Sequence, residues 1–157
     1  MATENKNLST YDKDSLPSVM GKRVGIITSQ WNGQITNNMR KGAVDTLLDC
    51  GFSPENIIEW SVPGAFELVN GAKRMIEKAV DAVIVIGCVI QGETKHFDFV
   101  CQGVTYGIAH LNATQDIPVI FCVLTDNTLQ QSIDRSGGKH GNKGIEAAIT
   151  AIQMIDL

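Results

Sequence analysis

The run Gly92-Glu93-Thr94-Lys95-His96-Phe97-Asp98 places a glycine, an acid, a threonine and a histidine side by side. Residues of these types could hold an anion and move a proton beside it. In front of them stands an unbroken apolar stretch, Ala82 to Ile90, rich in β-branched residues, which reads as a fully buried parallel strand. Behind them Phe97, Val100, Cys101, Val104, Ile108 and Leu111 recur at helical spacing. The run therefore occupies a strand-to-helix turn, where backbone N–H groups and the positive end of the helix dipole converge. A titratable imidazole beside such an anion site suggests proton transfer on a phosphorylated or carboxylated substrate. Taken alone, His96 would be read as a polar surface residue; the turn around it gives it a task.

The elements that must position this turn alternate along the chain. Lys22 to Ser29 reads as a first strand, followed by a helix with the stripe Ile35, Met39, Ala43, Val44, Leu47 and Leu48 that Gly51 stops. Asn56 to Val62 is a second strand, and Phe66, Val69, Ala72, Met75 and Ile76 mark its helix. After the third pair, Val119 to Leu124 is a fourth strand, introduced by Pro118. A short helix near Leu129 to Arg135, the pair Gly137-Gly138 and a last helix with Ile145, Ala148, Ile149, Ile152 and Ile155 close the chain. Such alternation predicts βαβ crossovers and a parallel sheet covered on both faces, in one domain. Every loop leaving a strand's carboxyl end then opens on one edge of the sheet. Gln30-Trp31-Asn32, Pro63 to Glu67, Gln91 to His96 and Thr125-Asp126-Asn127 all fall there. Each group alone is a weak signal; four on one edge are a pocket.

Several of these residues have an ordinary reading as well. Trp31 is either a hydrophobic anchor at a strand end or a stacking platform for a flat heterocycle. Phe66 begins an apolar stripe and reads as core. Glu67 complements a helix dipole or accepts hydrogen bonds from a polyhydroxyl substrate, which Gly64-Ala65 would let approach the backbone. Arg135 suits a helix end as a cation, or clamps phosphate in a bidentate way. His110 and His140 read as surface residues.

Composition sets the bounds. At 157 residues the chain can bury a sizeable core, and a net charge of −4 without a basic block argues against nucleic acid or an anionic membrane as partner. No apolar run approaches the roughly 18 residues of a membrane span, and the polar start of the chain does not resemble a secretory signal. Cys50, Cys88, Cys101 and Cys122 form no Cys-x-x-Cys pair and stand at no zinc-ligand spacing from a histidine. They read as reduced core cysteines of a cytoplasmic protein, with Cys88 alone placed where a catalytic thiol would be useful. Gly138 to Gly144 lacks both the preceding strand and the Gly-Lys-Ser/Thr ending of a P-loop. No Gly-x-Gly-x-x-Gly follows the first strand, so a dinucleotide cofactor is not supported.

Taken together, Ser29-Gln30-Trp31-Asn32, Val62-Pro63-Gly64-Ala65-Phe66-Glu67, Gly87 to Asp98, Val123-Leu124-Thr125 and Gly141-Asn142-Lys143-Gly144 closely resemble the lumazine synthase family. The match runs in order from about Lys22 to Leu157, leaving residues 1–21 as a polar N-terminal arm before a single domain, 22–157. The resemblance implies a flavodoxin-like, three-layer α/β/α sandwich on a four-stranded parallel sheet. It implies condensation of 5-amino-6-(D-ribitylamino)uracil with 3,4-dihydroxy-2-butanone 4-phosphate, the penultimate step of riboflavin synthesis, without metal or organic cofactor. A flavin- or nucleotide-binding module without catalysis would explain the sheet edge and Trp31, but it leaves His96 and Arg135 idle.

By the same resemblance Trp31 stacks on the pyrimidine, Ala65, Phe66 and Glu67 line the ribityl chain, and Cys88, Val89 and Ile90 hold the pyrimidine edge through backbone groups. Glu93 and Thr94 offer N–H groups to the phosphate, and His96 is the acid and base. Phe121, Arg135 and Lys143 come from the adjacent subunit, with Arg135 on the phosphate. Gln30, Lys95, Gln130 and His140 depart from the usual family pattern, and none of them is given chemistry. The family's minimum unit is a pentamer. Members that stop there often carry an insertion between the last two helices, which Arg135 to Gly144 lacks; its glycines permit a tight bend between those helices. The expectation is a 60-subunit shell of pentamers, with riboflavin synthase a candidate partner.

Overall fold

A computed structural model describes residues 7–157; the first six residues of the expected arm lie outside the described residues. Strands β1 (Val24–Ser29), β2 (Ile57–Val62), β3 (Ala82–Ile90) and β4 (Val119–Asp126) form one parallel sheet in the order β2-β1-β3-β4. Their β-branched sequences suit strands covered on both sides, and β1 is buried at every position. Because side chains alternate across the sheet, each strand feeds two cores. Val24, Ile26, Ile84, Ile86 and Cys122 pack toward α1 (Gly33–Asp49) and α5 (Lys143–Ile155). Ile27, Val83, Val85 and Val123 pack toward α2 (Leu68–Ile76) and α3 (His96–Thr114). The result is the expected α/β/α sandwich. Side chains such as Ile26, Met39, Leu68 and Ile152 are fully buried, each worth about 1.5–3 kcal/mol.

The helices form where the apolar spacing predicts, with two differences. The helix after β2 begins at Leu68, so Phe66 stands before it and is 57% exposed instead of buried. Its place in an apparent stripe was an accident of spacing. Between α4 (Leu129–Arg135) and α5 the chain does not simply bend. It forms a small antiparallel ribbon, β5 (Ser136–Gly138) and β6 (Gly141–Asn142). Gly137 and Gly141 take the left-handed φ values of 122° and 85° that this ribbon requires.

Asn142 fixes the ribbon to the body. Its side chain accepts from the Gly144 N–H at 2.8 Å, capping α5, and donates to the Asn38 carbonyl of α1 at 2.9 Å. The described part of the arm runs from that ribbon to the C-terminal end of α1. Leu8 N–H donates to the His140 carbonyl, Asn142 N–H donates to Ser9 Oγ, and Tyr11 and Lys13 both reach Asp49.

Candidate active site

The strand order creates the site. From β1 the chain moves first to β2 on one side and then to β3 on the other, so the loops after β1 and β3 diverge at their carboxyl ends. An open parallel sheet binds ligands at such a switch point. A cavity of about 580 Å³ lies there, lined by Trp31, Gly64 to Glu67, Cys88 to Ile90, Gly92, Thr94, His96, Phe97, Phe99 and Val100.

Each loop is held by main-chain bonds. Gln30 N–H donates to the Val62 carbonyl at 2.8 Å and Trp31 N–H to that of Pro63 at 3.1 Å, which brings Trp31 beside the Gly64 turn. Trp31 is 73% exposed. The indole is therefore not packed into this chain's own core, and its face is open to the cavity. Gly64 has a steric reason: a Cβ there would stand 3.0 Å from Glu67 Oε2, so the missing side chain leaves room for the carboxylate over the turn. The two buried side-chain oxygens without a hydrogen bond among the described residues, Thr28 Oγ1 and Ser29 Oγ, are both at this end of β1. Unpaired polar atoms cost about 1–3 kcal/mol each, and they gather at the functional edge of the sheet.

Like α1 and α2, α3 starts without a side-chain cap from its N-cap residue. Thr128 and Gln131 cap α4 reciprocally and Asn142 caps α5, whereas no side chain caps α3 at Lys95. In its first turn the His96 N–H donates to Thr94 Oγ1 at 3.4 Å and the Asp98 N–H to the Lys95 carbonyl at 3.1 Å. With no N-cap side chain over it, the helix start can still present N–H groups to an anion. His96 is the first residue of α3, exposed, and it lines the cavity.

Cys88 lines the floor, but its side chain is 1% exposed and its thiol donates to Ser132 Oγ at 3.4 Å. Burial pushes the thiol's pKa up, which keeps it protonated and poor as a nucleophile. At the cavity lining Cys88 thus carries a buried, hydrogen-bonded thiol unsuited to act as a thiolate. Among the described residues no group of three His, Cys, Asp or Glu side chains could hold a metal ion, and no helix is long and apolar enough to cross a membrane.

The cavity brings together nine of the thirteen residues singled out in the sequence with pocket roles: Trp31, Ala65, Phe66, Glu67, Cys88, Val89, Ile90, Thr94 and His96. Glu93 is exposed in the turn but does not line the cavity. Phe121 and Lys143 lie elsewhere, in a hollow of about 290 Å³ along β4, the sheet's edge strand, where Lys143 pairs with Glu146. Arg135 ends α4 half-buried, its Nη1 donating to the Gln131 carbonyl at 3.0 Å. These last three do not reach the cavity of their own chain.

Three aromatic or apolar lining residues were not assigned to the pocket from sequence. Phe97 and Val100 belong to the apolar stripe of α3, and Phe99, 67% exposed, was not singled out at all. The spacing held a signal: Phe99 and Val100 follow His96 by three and four residues, which on a helix is the same face.

The model of the 6,7-dimethyl-8-ribityllumazine synthase family matches residues 21–157. Proteins of that name are similar over nearly the whole chain. The one from Flavobacterium johnsoniae is 65% identical over 98% of this chain and 82% of its own length. That from Christiangramia forsetii is 57% identical over 100% and 95%, and that from Parabacteroides distasonis 54% over 99% and 98%. With this fold, this cavity and these matches, the chain belongs to the 6,7-dimethyl-8-ribityllumazine synthase family.

Proposed function

We infer that the chain is a transferase that condenses 5-amino-6-(D-ribitylamino)uracil with 3,4-dihydroxy-2-butanone 4-phosphate. It forms 6,7-dimethyl-8-ribityllumazine and releases phosphate and water, the penultimate step of riboflavin synthesis. Family membership supports the reaction. The observation that carries the site is the single cavity in which an exposed indole, a carboxylate and an imidazole surround an uncapped helix start.

Trp31 stacks on the pyrimidine, whose edge meets the backbone of Cys88, Val89 and Ile90, and Ala65, Phe66 and Glu67 line the ribityl chain. Glu93 and Thr94 present N–H groups to the phosphate. The pyrimidine's amine attacks the ketone to give an imine, phosphate leaves by elimination, and ring closure with loss of water forms the lumazine. Each stage moves a proton, and His96 serves in turn as acid and base. Arg135 and the start of α3 stabilise the departing phosphate, and holding two reactants together supplies much of the remaining rate. No step transfers electrons to or from an outside partner, so the reaction needs no redox cofactor.

Phe121, Arg135 and Lys143 act on the neighbouring subunit's cavity. Their distance from the cavity of their own chain supports a shared site, as do the exposed Phe99 and Tyr106 on α3. Residues 1–21 form the arm and 22–157 the catalytic domain; the family match over 21–157 favours that division. The subunits assemble as pentamers and twelve pentamers close into a 60-subunit shell, in the cytoplasm, where four free cysteines stay reduced. Riboflavin synthase is the partner to seek with that shell. Nucleic acid and membrane are not partners.

Incubating the protein with both substrates and following lumazine fluorescence tests the reaction; absence of product from folded protein would leave the binding-module reading. Light scattering tests assembly. A 17.0 kDa chain gives roughly 85 kDa for a pentamer and about 1 MDa for the shell, and the smaller mass alone at micromolar protein would remove the shell.

A further inference from the structure

Behind the cavity floor runs a polar relay that none of the assigned roles uses. The Cys88 thiol donates to Ser132 Oγ at 3.4 Å, and the Ser132 hydroxyl donates to Asp126 Oδ2 at 2.8 Å. A serine carries one hydroxyl proton, so the relay has a direction: thiol into hydroxyl, hydroxyl into carboxylate. Cys88 and Ser132 are buried and Asp126 is half-buried. The Cys88 side chain belongs to the apolar core on the α1 and α5 face, where an unpaired polar group is costly. Breaking one bond of the relay leaves its partner unsatisfied.

The three residues lie on three elements: β3, the end of β4, and α4. Only seven residues long, α4 is held at its start by the reciprocal capping of Thr128 and Gln131. Ser132 holds it in the middle. Arg135 follows Ser132 by three residues, within one turn, and its guanidinium donates back to the Gln131 carbonyl beside Ser132. A helix this short has little stiffness of its own. Its orientation is set by what pins it.

We propose that Ser132 is a positioning residue whose bonds to Cys88 and Asp126 lock α4 onto the strand end that floors the cavity, and so aim Arg135 at the butanone phosphate. The proposal rests on the assignment of Arg135 to that phosphate. Since Arg135 serves the neighbouring subunit, the relay ties each chain's own cavity floor to the arginine it lends.

The test is steady-state kinetics of the assembled enzyme with each substrate varied in turn. Ser132→Ala should raise the KM for the butanone phosphate about three- to tenfold and leave that for the ribitylaminouracil within about twofold. Asp126→Ala, at the less buried end of the relay, should repeat the shift. Asp126→Asn keeps an acceptor oxygen for the Ser132 hydroxyl and should restore the normal KM. The Asp126 pair settles the matter if Ser132→Ala does not fold. A rise in both KM values together, or an Asp126→Asn variant as impaired as Asp126→Ala, would overturn the proposal. Arg135→Ala distinguishes the two levels. If it raises the butanone phosphate KM and the relay variants do not, the relay fails alone; if it leaves that KM unchanged, the Arg135 assignment fails and the relay with it.

Discussion

The side-chain amide of Asn32 donates a 2.9 Å hydrogen bond to the carbonyl of Cys88, joining the loop that carries Trp31 to the strand that floors the cavity. The two residues are 56 apart in sequence. Strands β1 and β3 are neighbours, but their following loops diverge, and Asn32 spans the opening between them. It does so from a left-handed backbone, φ 57° and ψ 44°, which asparagine tolerates better than most residues with a side chain.

Asn32→Ala and Asn32→Gly separate the two properties of this residue. Both lose the bond, which is worth about 0.5–1.5 kcal/mol, but only alanine adds left-handed strain of about 1–2 kcal/mol. Both variants should therefore weaken the ribitylaminouracil several-fold, and alanine should melt at the lower temperature. A glycine variant with a normal KM would show that the bond does not place Trp31.

His96→Ala should lower kcat by about 10²- to 10⁴-fold, the usual contribution of a positioned acid or base. Substrate binding and assembly should persist, because the imidazole is exposed at the start of α3 and packs in neither core. Single-turnover rates and light scattering check both halves. An undiminished rate in the folded variant would remove His96 from the mechanism.

The thiols should differ in reactivity. Cys88 and Cys122 are buried, and burial pushes both thiols up, that of Cys122 to about 12. The thiolate is the reactive form, so neither should be alkylated in the native protein at about pH 8. Denaturation should expose both. Mass spectrometry after a short exposure to iodoacetamide reads the result; modification of native Cys88 would revive it as a catalytic candidate.

The arm should release at both extremes of pH. Tyr11 Oη donates to Asp49 Oδ2 at 2.9 Å, and Lys13 Nζ lies 3.3 Å from Oδ1. These bonds, Tyr11's first, hold the Asp49 carboxyl below its ordinary value, so their stabilisation is present above the usual carboxylate pKa and is lost as pH falls. Burial, and then the bond to Asp49, push Tyr11 up from 10.0 to about 12, so that contribution is full below pH 10.0 and is lost as pH rises toward 12. Tyr11→Phe should speed limited proteolysis within residues 7–21 at neutral pH and remove the alkaline transition. Amide exchange at Leu8 and Asn142 gives the same reading from within the arm's contacts.

By itself the sequence determined the elements and the edge on which they act. β-branched runs and helical stripes are local patterns, and parallel strands must end on one side, so their order along the chain already brings the loops of Trp31, Glu67 and His96 together. Element ends were less legible. β4 continues through Thr125 and Asp126 because these polar residues still pair with Val89 and Ile90, a contact that no local pattern shows. Only the tertiary structure decided that β1 lies between β2 and β3, which puts the cavity at that switch point. It also decided that Phe66 is exposed and that Phe121, Arg135 and Lys143 lie away from their own chain's cavity. The bond from Asn32 to Cys88 and the relay through Ser132 join residues 56 and 44 apart. Hydrogen bonds of that kind depend on how strands are ordered and how a short helix is seated, and neither property is written in the periodicity of a single segment.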